Sequence, residues 1–190
     1  LIGMVTRLVA QKGLDLLSEV ADELMSRELQ LVVLGAGDPY YEQMLSALRN
    51  RYPHKVGLFI GFNPVLAQKI YAGADMFLMP SAFEPCGLGQ LISLRYGTVP
   101  VVRATGGLAD TISDYHAMKA AGNGFGFEEY SGRKMLDAID RAIAVYRDPV
   151  RWRELMRRAM MADHSWNKSA AEYMGLYHAA VGKARRRLSA

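Results

Sequence analysis

The sequence predicts an α/β fold, a Rossmann-like doubly wound parallel sheet with a helical C-terminal extension. Three observations point there. Short runs are continuously apolar rather than alternating, as strands covered on both faces are. Amphipathic stretches of helical period separate those runs. The length, 190 residues, suits one full-sized domain, which buries about 70% of its unfolded surface and needs no disulfide or metal to hold its core.

The elements come in order. Leu1–Val5 reads as a strand, and Leu14–Met25 as one helix with Leu14, Leu17, Val20, Ala21 and Leu24 on a face. Leu31–Leu34 is the next strand, with a helix from Pro39 to Tyr52 behind it. Val56–Ile60 and the helix near Leu66–Ala72 come third, then Met76–Met79 with Leu88–Tyr96. Val99–Val102 is a fifth strand and Phe125–Phe127 a sixth. This alternation is the pattern of a doubly wound sheet. After it, Lys134–Tyr146 is amphipathic, with Leu136, Ile139, Ile143 and Tyr146 at helical spacing. Asp148-Pro149 stops and restarts a helix, and Trp152–Met161 and Ser169–Val181 continue. With no linker, repeat or low-complexity segment, residues 1–190 read as a single domain whose residues 131–190 form the helical extension.

Composition removes several functions. A hydrophobic share of 51% with 22% charged residues is that of a globular chain. The lone Cys86 excludes a disulfide framework and an all-cysteine metal site, and leans toward the cytosol. Lys and Arg exceed Asp and Glu by 23 − 19 = 4, partly through Arg185, Arg186 and Arg187, which read as a solvated helix end. Without a basic stripe bearing stacking residues, no nucleic acid is expected as a partner. No apolar run reaches the roughly 18 residues of a membrane helix. The first residues are not a secretory signal. They also lack an initiator Met and open directly in a strand, so we expect a longer parent protein, with any targeting signal in its remainder.

Ligands of an open parallel sheet bind beyond the carboxyl ends of its strands. The loops there hold most of the unusual residues. The first carries Arg7 and Lys12, which suit a diphosphate as a chelating fork and a point charge, or are ordinary surface cations. The second carries Gly35-Ala36-Gly37, either a close-approach loop or a tight turn, and an incomplete dinucleotide fingerprint. The third carries Phe62, a base-stacking ring or a rim aromatic. The fourth runs through Glu84 to Cys86-Gly87-Leu88-Gly89-Gln90, where glycines and helix-start amides make an anion site. Glu84 is an acceptor for sugar hydroxyls, or a loop acid favoured by the helix dipole. The fifth carries Arg103-Ala104-Thr105-Gly106-Gly107. No Walker-type sequence occurs, which argues against a P-loop phosphotransferase. Cys86 has no histidine near it in sequence and is not expected to be a nucleophile. His54, His116, His164 and His178 lack metal spacing and no Asp-x-Asp pair exists, so no metal is expected.

Five stretches together resemble the glycogen and starch synthases: Arg7 through Leu16, Gly35 through Pro39, Ala74 through Ser81, Phe83-Glu84-Pro85-Cys86-Gly87-Leu88, and Tyr96 through Leu108. Ser165-Trp166 and Tyr173 through Tyr177 resemble the end of those enzymes. The resemblance implies the C-terminal, donor-binding half of a GT-B enzyme, without its N-terminal acceptor domain. That enzyme is a retaining glycosyltransferase moving glucose from ADP-glucose to the non-reducing end of an α-1,4-glucan, cytoplasmic, or plastidial if from a plant. By matching positions it implies that Arg7 and Lys12 hold the donor diphosphate with the amides of Leu88 and Gly89. Phe62 stacks on adenine, Glu84, Cys86 and Gly87 contact glucose, and Thr105 and Gly106 line the same edge; no cofactor or metal is implied.

Some positions depart from the family. Ala82 stands where Arg is frequent, which removes a support of the Glu84 loop. Gly89 replaces Thr or Asn, which removes a side-chain phosphate contact. Ile92 stands where the wider class has a second glutamate, leaving Gln90 as the nearest polar substitute. Alone, the chain is expected to bind ADP weakly, to synthesise little or nothing, and to self-associate through an apolar patch on its last helix. The alternatives are a UDP-sugar GT-B transferase, which the cysteine-containing motif disfavours, and a stand-alone nucleotide- or glucan-binding module without catalysis.

Overall fold

The computed structural model describes residues 1–116 and 121–188. Six strands form one parallel sheet in the order β3-β2-β1-β4-β5-β6. They are β1 (Ile2–Val5), β2 (Leu31–Gly35), β3 (Val56–Ile60), β4 (Met76–Met79), β5 (Val99–Arg103) and β6 (Phe125–Phe127). All six agree with the predicted runs to within a residue or so. β1 pairs with both β2 and β4, Ile2 lying opposite Leu31 on one side and Met76 on the other. The connection from β1 leaves toward β2 and that from β4 toward β5. A topological switch point therefore opens between the ends of β1 and β4, where open α/β sheets bind ligands.

The pleat sorts side chains into two layers. On one face Ile2, Met4, Leu31, Val33, Met76, Leu78, Val99, Val101 and Phe125 join the main core. That core is completed by α1 (Leu14–Glu19), α2 (Ala21–Met25), α3 (Pro39–Arg51) and α7 (Gly132–Tyr146). On the other face lie α4 (Pro64–Gly73), α5 (Gly89–Tyr96) and α6 (Gly107–Thr111), while α8 (Pro149–Met161) contacts both α7 and α5, with Trp152 and Leu155 in the main core. A second cluster of Leu94, Val102, Leu108, Ile112 and Ala159 fills part of this side. Gly3 lets α4 lie close on β1, because a Cβ there would sit 2.8 Å from Ile70.

One feature differs from the expectation. The predicted helix Leu14–Met25 is two helices, interrupted at Val20 (φ −118°, ψ 16°). Beside the interruption, Glu19 accepts a 2.9 Å hydrogen bond from the amide of Gly132 at the start of α7. Within the helical extension from 131 onward, Met135, Leu136, Ala138, Ile139, Ala142, Trp152 and Leu155 are buried in the main cluster. Only α9 (Trp166–Leu188) stands off the body, its described side chains almost all exposed. It carries Trp166, Tyr173, Met174, Leu176, Tyr177 and Val181 toward solvent. Of the terminal arginines Arg186 is exposed, and the side chains of Arg185 and Arg187 lie outside the described residues. Among the described residues no helix is long and apolar enough to cross a membrane.

Candidate functional site

The loop after β1 is shaped by contacts with its neighbours. Leu8 bridges to Gly37, donating to Ala36 at 3.0 Å and accepting from Asp38 at 2.7 Å. A single 3-10 turn, Ala10–Lys12, then ends at Gly13 in the left-handed region (φ +70°). A Cβ on Gly13 would overlap the carbonyl of Pro80, so glycine is what lets the β1 loop lie against the end of β4. The two loops are then tied directly. Ala82 donates its amide to the Gln11 carbonyl at 2.8 Å, and the Gln11 side chain donates to the Phe83 carbonyl at 3.1 Å.

This juxtaposition puts Lys12 on Glu84. The ammonium lies 2.5 Å from Oε2, and the Ser81 hydroxyl donates to the same oxygen at 3.1 Å. Glu84 is only 8% exposed. A carboxylate buried this far needs such partners. Its other oxygen, Oε1, has no partner among the described residues and is left to accept from a ligand. Arg7 is exposed and has no partner among the described residues, so its fork of donors is unspent. At the start of α5, the capping position is Leu88, which offers no side-chain acceptor. The first amides of that helix therefore lack partners by helix geometry.

Arg7, Lys12, Glu84, Gly87, Leu88 and Gly89 line one cavity of about 170 Å³, together with Thr6, Tyr71, Ser81 and the end of β4. A second cavity of about 290 Å³ adjoins it, with Val5, Thr6 and Arg7 shared between the two. Gly35 and Phe62 line the second one, and Phe62 is 92% exposed on its rim. The shared residues make one groove with a cationic, amide-rich end and an aromatic end. A larger groove of about 850 Å³ lies between α5 and the end of α8, but it contains no residue of the strand-end loops.

Five sequence-predicted residues do not line either cavity. Gln90 is a correction: it is fully buried and faces inward, donating through Nε2 to the carbonyls of Cys86 and Gly87 at 3.1 and 3.0 Å and to Thr111 Oγ1 at 3.2 Å. It braces the loop from behind, and its Oε1 has no partner among the described residues. Gly106 (φ +47°) packs so closely on the Glu84 carbonyl that a Cβ would overlap it, and the next amide, Gly107, donates to that carbonyl at 2.9 Å. Thr105 is half-buried beside it, Cys86 is exposed just outside, and Gly37 packs on Leu8. Of these five, Gln90 faces away from the groove, and Gly37 and Gly106 let the loops pack closely.

Arg103 supplies the support that Ala82 does not. From the end of β5 its Nη1 donates to the Ala82 carbonyl at 2.5 Å and lies 3.5 Å from that of Ser81, while Nε donates to Glu128 at 3.1 Å. Its guanidinium sits 5.3 Å from the Tyr130 ring, whose hydroxyl donates to Asp15 at 2.7 Å. Burial, then the bond to Asp15, raises the Tyr130 pKa well above the ordinary phenol value. In the sequence Arg103 and Ser81 are visible only as loop members and Tyr71 carries no signal at all, because their roles depend on which loop lies against which. Among the described residues no group of three or more His, Cys, Asp or Glu is placed to hold a metal.

Residues 1–158 match the family described as glycosyl transferases group 1. The chain is 57% identical over 185 residues to a glycogen synthase of Moorella thermoacetica, covering 97% of this chain and 38% of that protein. To a glycogen synthase of Kosmotoga olearia it is 52% identical over 189 residues, all of this chain and 40% of that one. The chain thus spans less than half the length of the curated relatives it matches. Among solved structures, the catalytic domain of starch synthase IV from Arabidopsis thaliana, bound to ADP and acarbose, superposes with a TM-score of 0.85 at 34% identity, covering 95% of this chain and 38% of that one. With its six-stranded parallel sheet in the arrangement of the C-terminal domain of GT-B enzymes, the chain belongs to the group 1 glycosyl transferases.

Proposed function

We propose that this chain is the donor-binding part of a retaining glucan synthase, one that moves glucose from ADP-glucose to the non-reducing end of an α-1,4-glucan. The observation that supports it most is the meeting of Arg7, Lys12, Glu84 and the uncapped start of α5 on one cavity. Breaking a glucose–phosphate bond leaves extra negative charge on the departing ADP and an oxocarbenium-like sugar. Arg7, Lys12 and the amides of Leu88 and Gly89 meet that charge. They are already held in place, so little reorganisation is needed as the charge grows, the form of stabilisation that dominates in many enzymes. Glu84, with Oε2 occupied by Lys12 and Ser81, offers Oε1 to a glucose hydroxyl. Phe62 supplies the face for the base at the other end of the groove. This reading assigns no metal or cofactor, and places the protein in the cytoplasm.

The assignment of ADP and a glucan leans on the names of the relatives and on the ligands of the Arabidopsis structure. The acceptor contacts belong to a part of the synthase outside this chain, so the chain alone is expected to bind donor and not to extend glucan. Calorimetric titration with ADP, ADP-glucose and UDP tests the reading. ADP and ADP-glucose are expected to bind more tightly than UDP, and Lys12→Met to weaken ADP by about tenfold or more, the worth of one charge-assisted contact. No binding of either adenine nucleotide refutes the assignment, and stronger UDP binding moves it to a UDP-sugar transferase.

A further inference from the structure

We propose that the hydroxyl of Tyr71 donates a hydrogen bond to a phosphate oxygen of the bound diphosphate, in the space that Gly89 leaves open. This rests on the nucleotide reading above and adds to it a residue from a helix, α4, rather than from a strand-end loop.

Tyr71 is 6% exposed. Its ring packs on Phe77 with centroids 4.7 Å apart, and its backbone carbonyl accepts from the Thr98 hydroxyl at 2.5 Å. Its position is therefore fixed before any ligand arrives. Yet its hydroxyl has no partner among the described residues, and the residue lines the same cavity as Arg7, Lys12 and the start of α5. A tyrosine buried this deeply ordinarily satisfies its hydroxyl. One that opens on a cavity walled by cations and free amides is placed for an anionic acceptor.

Gly89 gives the second observation. A Cβ built there would lie 3.4 Å from the Tyr71 oxygen, 3.1 Å from Phe77 and 3.3 Å from the Met79 sulfur. A side chain at position 89 would thus start in contact with the hydroxyl of residue 71. With glycine at 89 the volume in front of the hydroxyl stays clear, beside the first amides of α5. Burial raises the phenol pKa above its ordinary value, so the group remains a neutral donor near pH 7 and adds no charge to the cavity. Glu84 is the cavity's acceptor for hydroxyls, so the donors Tyr71, Arg7 and Lys12 are left to the phosphates.

The test compares the 190-residue chain with its Tyr71→Phe variant, titrating ADP, inorganic pyrophosphate and adenosine at one ionic strength. Phenylalanine keeps the ring on Phe77, so the thermal midpoint is expected to hold. Affinity for ADP and pyrophosphate is expected to fall about tenfold or more, the loss of one hydrogen bond to a charged oxygen, with adenosine unchanged. Unchanged ADP and pyrophosphate affinity, or an equal loss for all three ligands, overturns the proposal while the nucleotide reading stands. Failure of the unaltered chain to bind ADP or pyrophosphate overturns both.

Discussion

Replacing Arg103 by Met removes the brace of the Glu84 loop while keeping most of the aliphatic stem. The magnitude is set by the groups that the guanidinium touches. The part-buried bond to the Ala82 carbonyl, at 2.5 Å, is the largest contribution. Losing it leaves a carbonyl without its donor, at a cost of about 1–3 kcal/mol. The bond to Glu128 is exposed and adds about 0.5 kcal/mol. The Tyr130 contact, also near the surface, adds about 0.5–1 kcal/mol. These terms share one group and do not add fully, so a loss of about 2–3 kcal/mol is expected, which for a chain of this size is about 5–10 °C in the thermal midpoint. Urea unfolding is the direct assay, read as a lower midpoint at unchanged slope. Lysine at 103 reaches one of these acceptors at a time, so Arg103→Lys is expected to fall between wild type and Arg103→Met. A loss under about 0.5 kcal/mol for Arg103→Met refutes the reasoning, because solvent would then support the loop as well as the side chain does.

Three further outcomes are expected. Gly13→Ala combines a left-handed φ of +70° with overlap on the Pro80 carbonyl; a loss above about 3 kcal/mol is expected by denaturant unfolding, and wild-type stability would show that the β1 and β4 loops are not in contact. Asp140 holds Arg27 by two hydrogen bonds of 2.6 and 2.7 Å, and the bond to Arg27 holds its carboxyl pKa below the ordinary value. A lowered folded pKa gives stability that is complete above the unfolded value near 4 and is lost as pH falls through the folded value. Asp140→Asn is therefore expected to cost about 1 kcal/mol at pH 7, a figure discounted for partial exposure, with the gap from wild type closing below about pH 4; a gap independent of pH contradicts the pairing. The exposed Trp166, Tyr173, Leu176 and Tyr177 of α9 are expected to drive concentration-dependent association, and a strictly monomeric sedimentation profile at high concentration contradicts it.

The sheet was legible because a strand buried on both faces has nowhere to put a polar residue. Val99–Val102 and Met76–Met79 are therefore nearly unbroken apolar runs, bounded by the turns that end them. Helix starts were legible where a cap sits beside a proline, as at Asp38-Pro39 and Asp148-Pro149, whose carboxylates accept from the following amides. The interruption at Val20 was not, since Leu14, Leu17, Ala21 and Leu24 keep helical spacing across it and stay buried on the same side. The short turns Ala10–Lys12 and Gly107–Thr111 hold too few residues to show a period at all. Nor did periodicity tell a packed helix from a projecting one: α7 and α9 are both amphipathic, and only the sheet's edge decides that α7 is core.

The site divides in the same way. Residues that face the groove from a loop are found by reading the segment after each strand, because the carboxyl ends of parallel strands lie on one edge whatever the loops do. That rule finds Arg7, Lys12, Gly35, Phe62, Glu84 and Leu88 without knowing a single contact. It has no means of saying which way a loop side chain turns. Gln90 ends the same glycine-rich run as Leu88, yet helix α5 rotates it to the inside, where its amide takes two loop carbonyls. Arg103 ends its own strand but spends its donors on the neighbouring strand's loop. Tyr71 belongs to no loop, and only the packing of α4 on Phe77 carries its hydroxyl to the switch point. Sequence order thus identifies the loop residues that line the groove. The groups that hold them there, and the one that enters from a helix, are fixed by contacts between elements far apart in the chain, such as the 72-residue separation of Lys12 from Glu84.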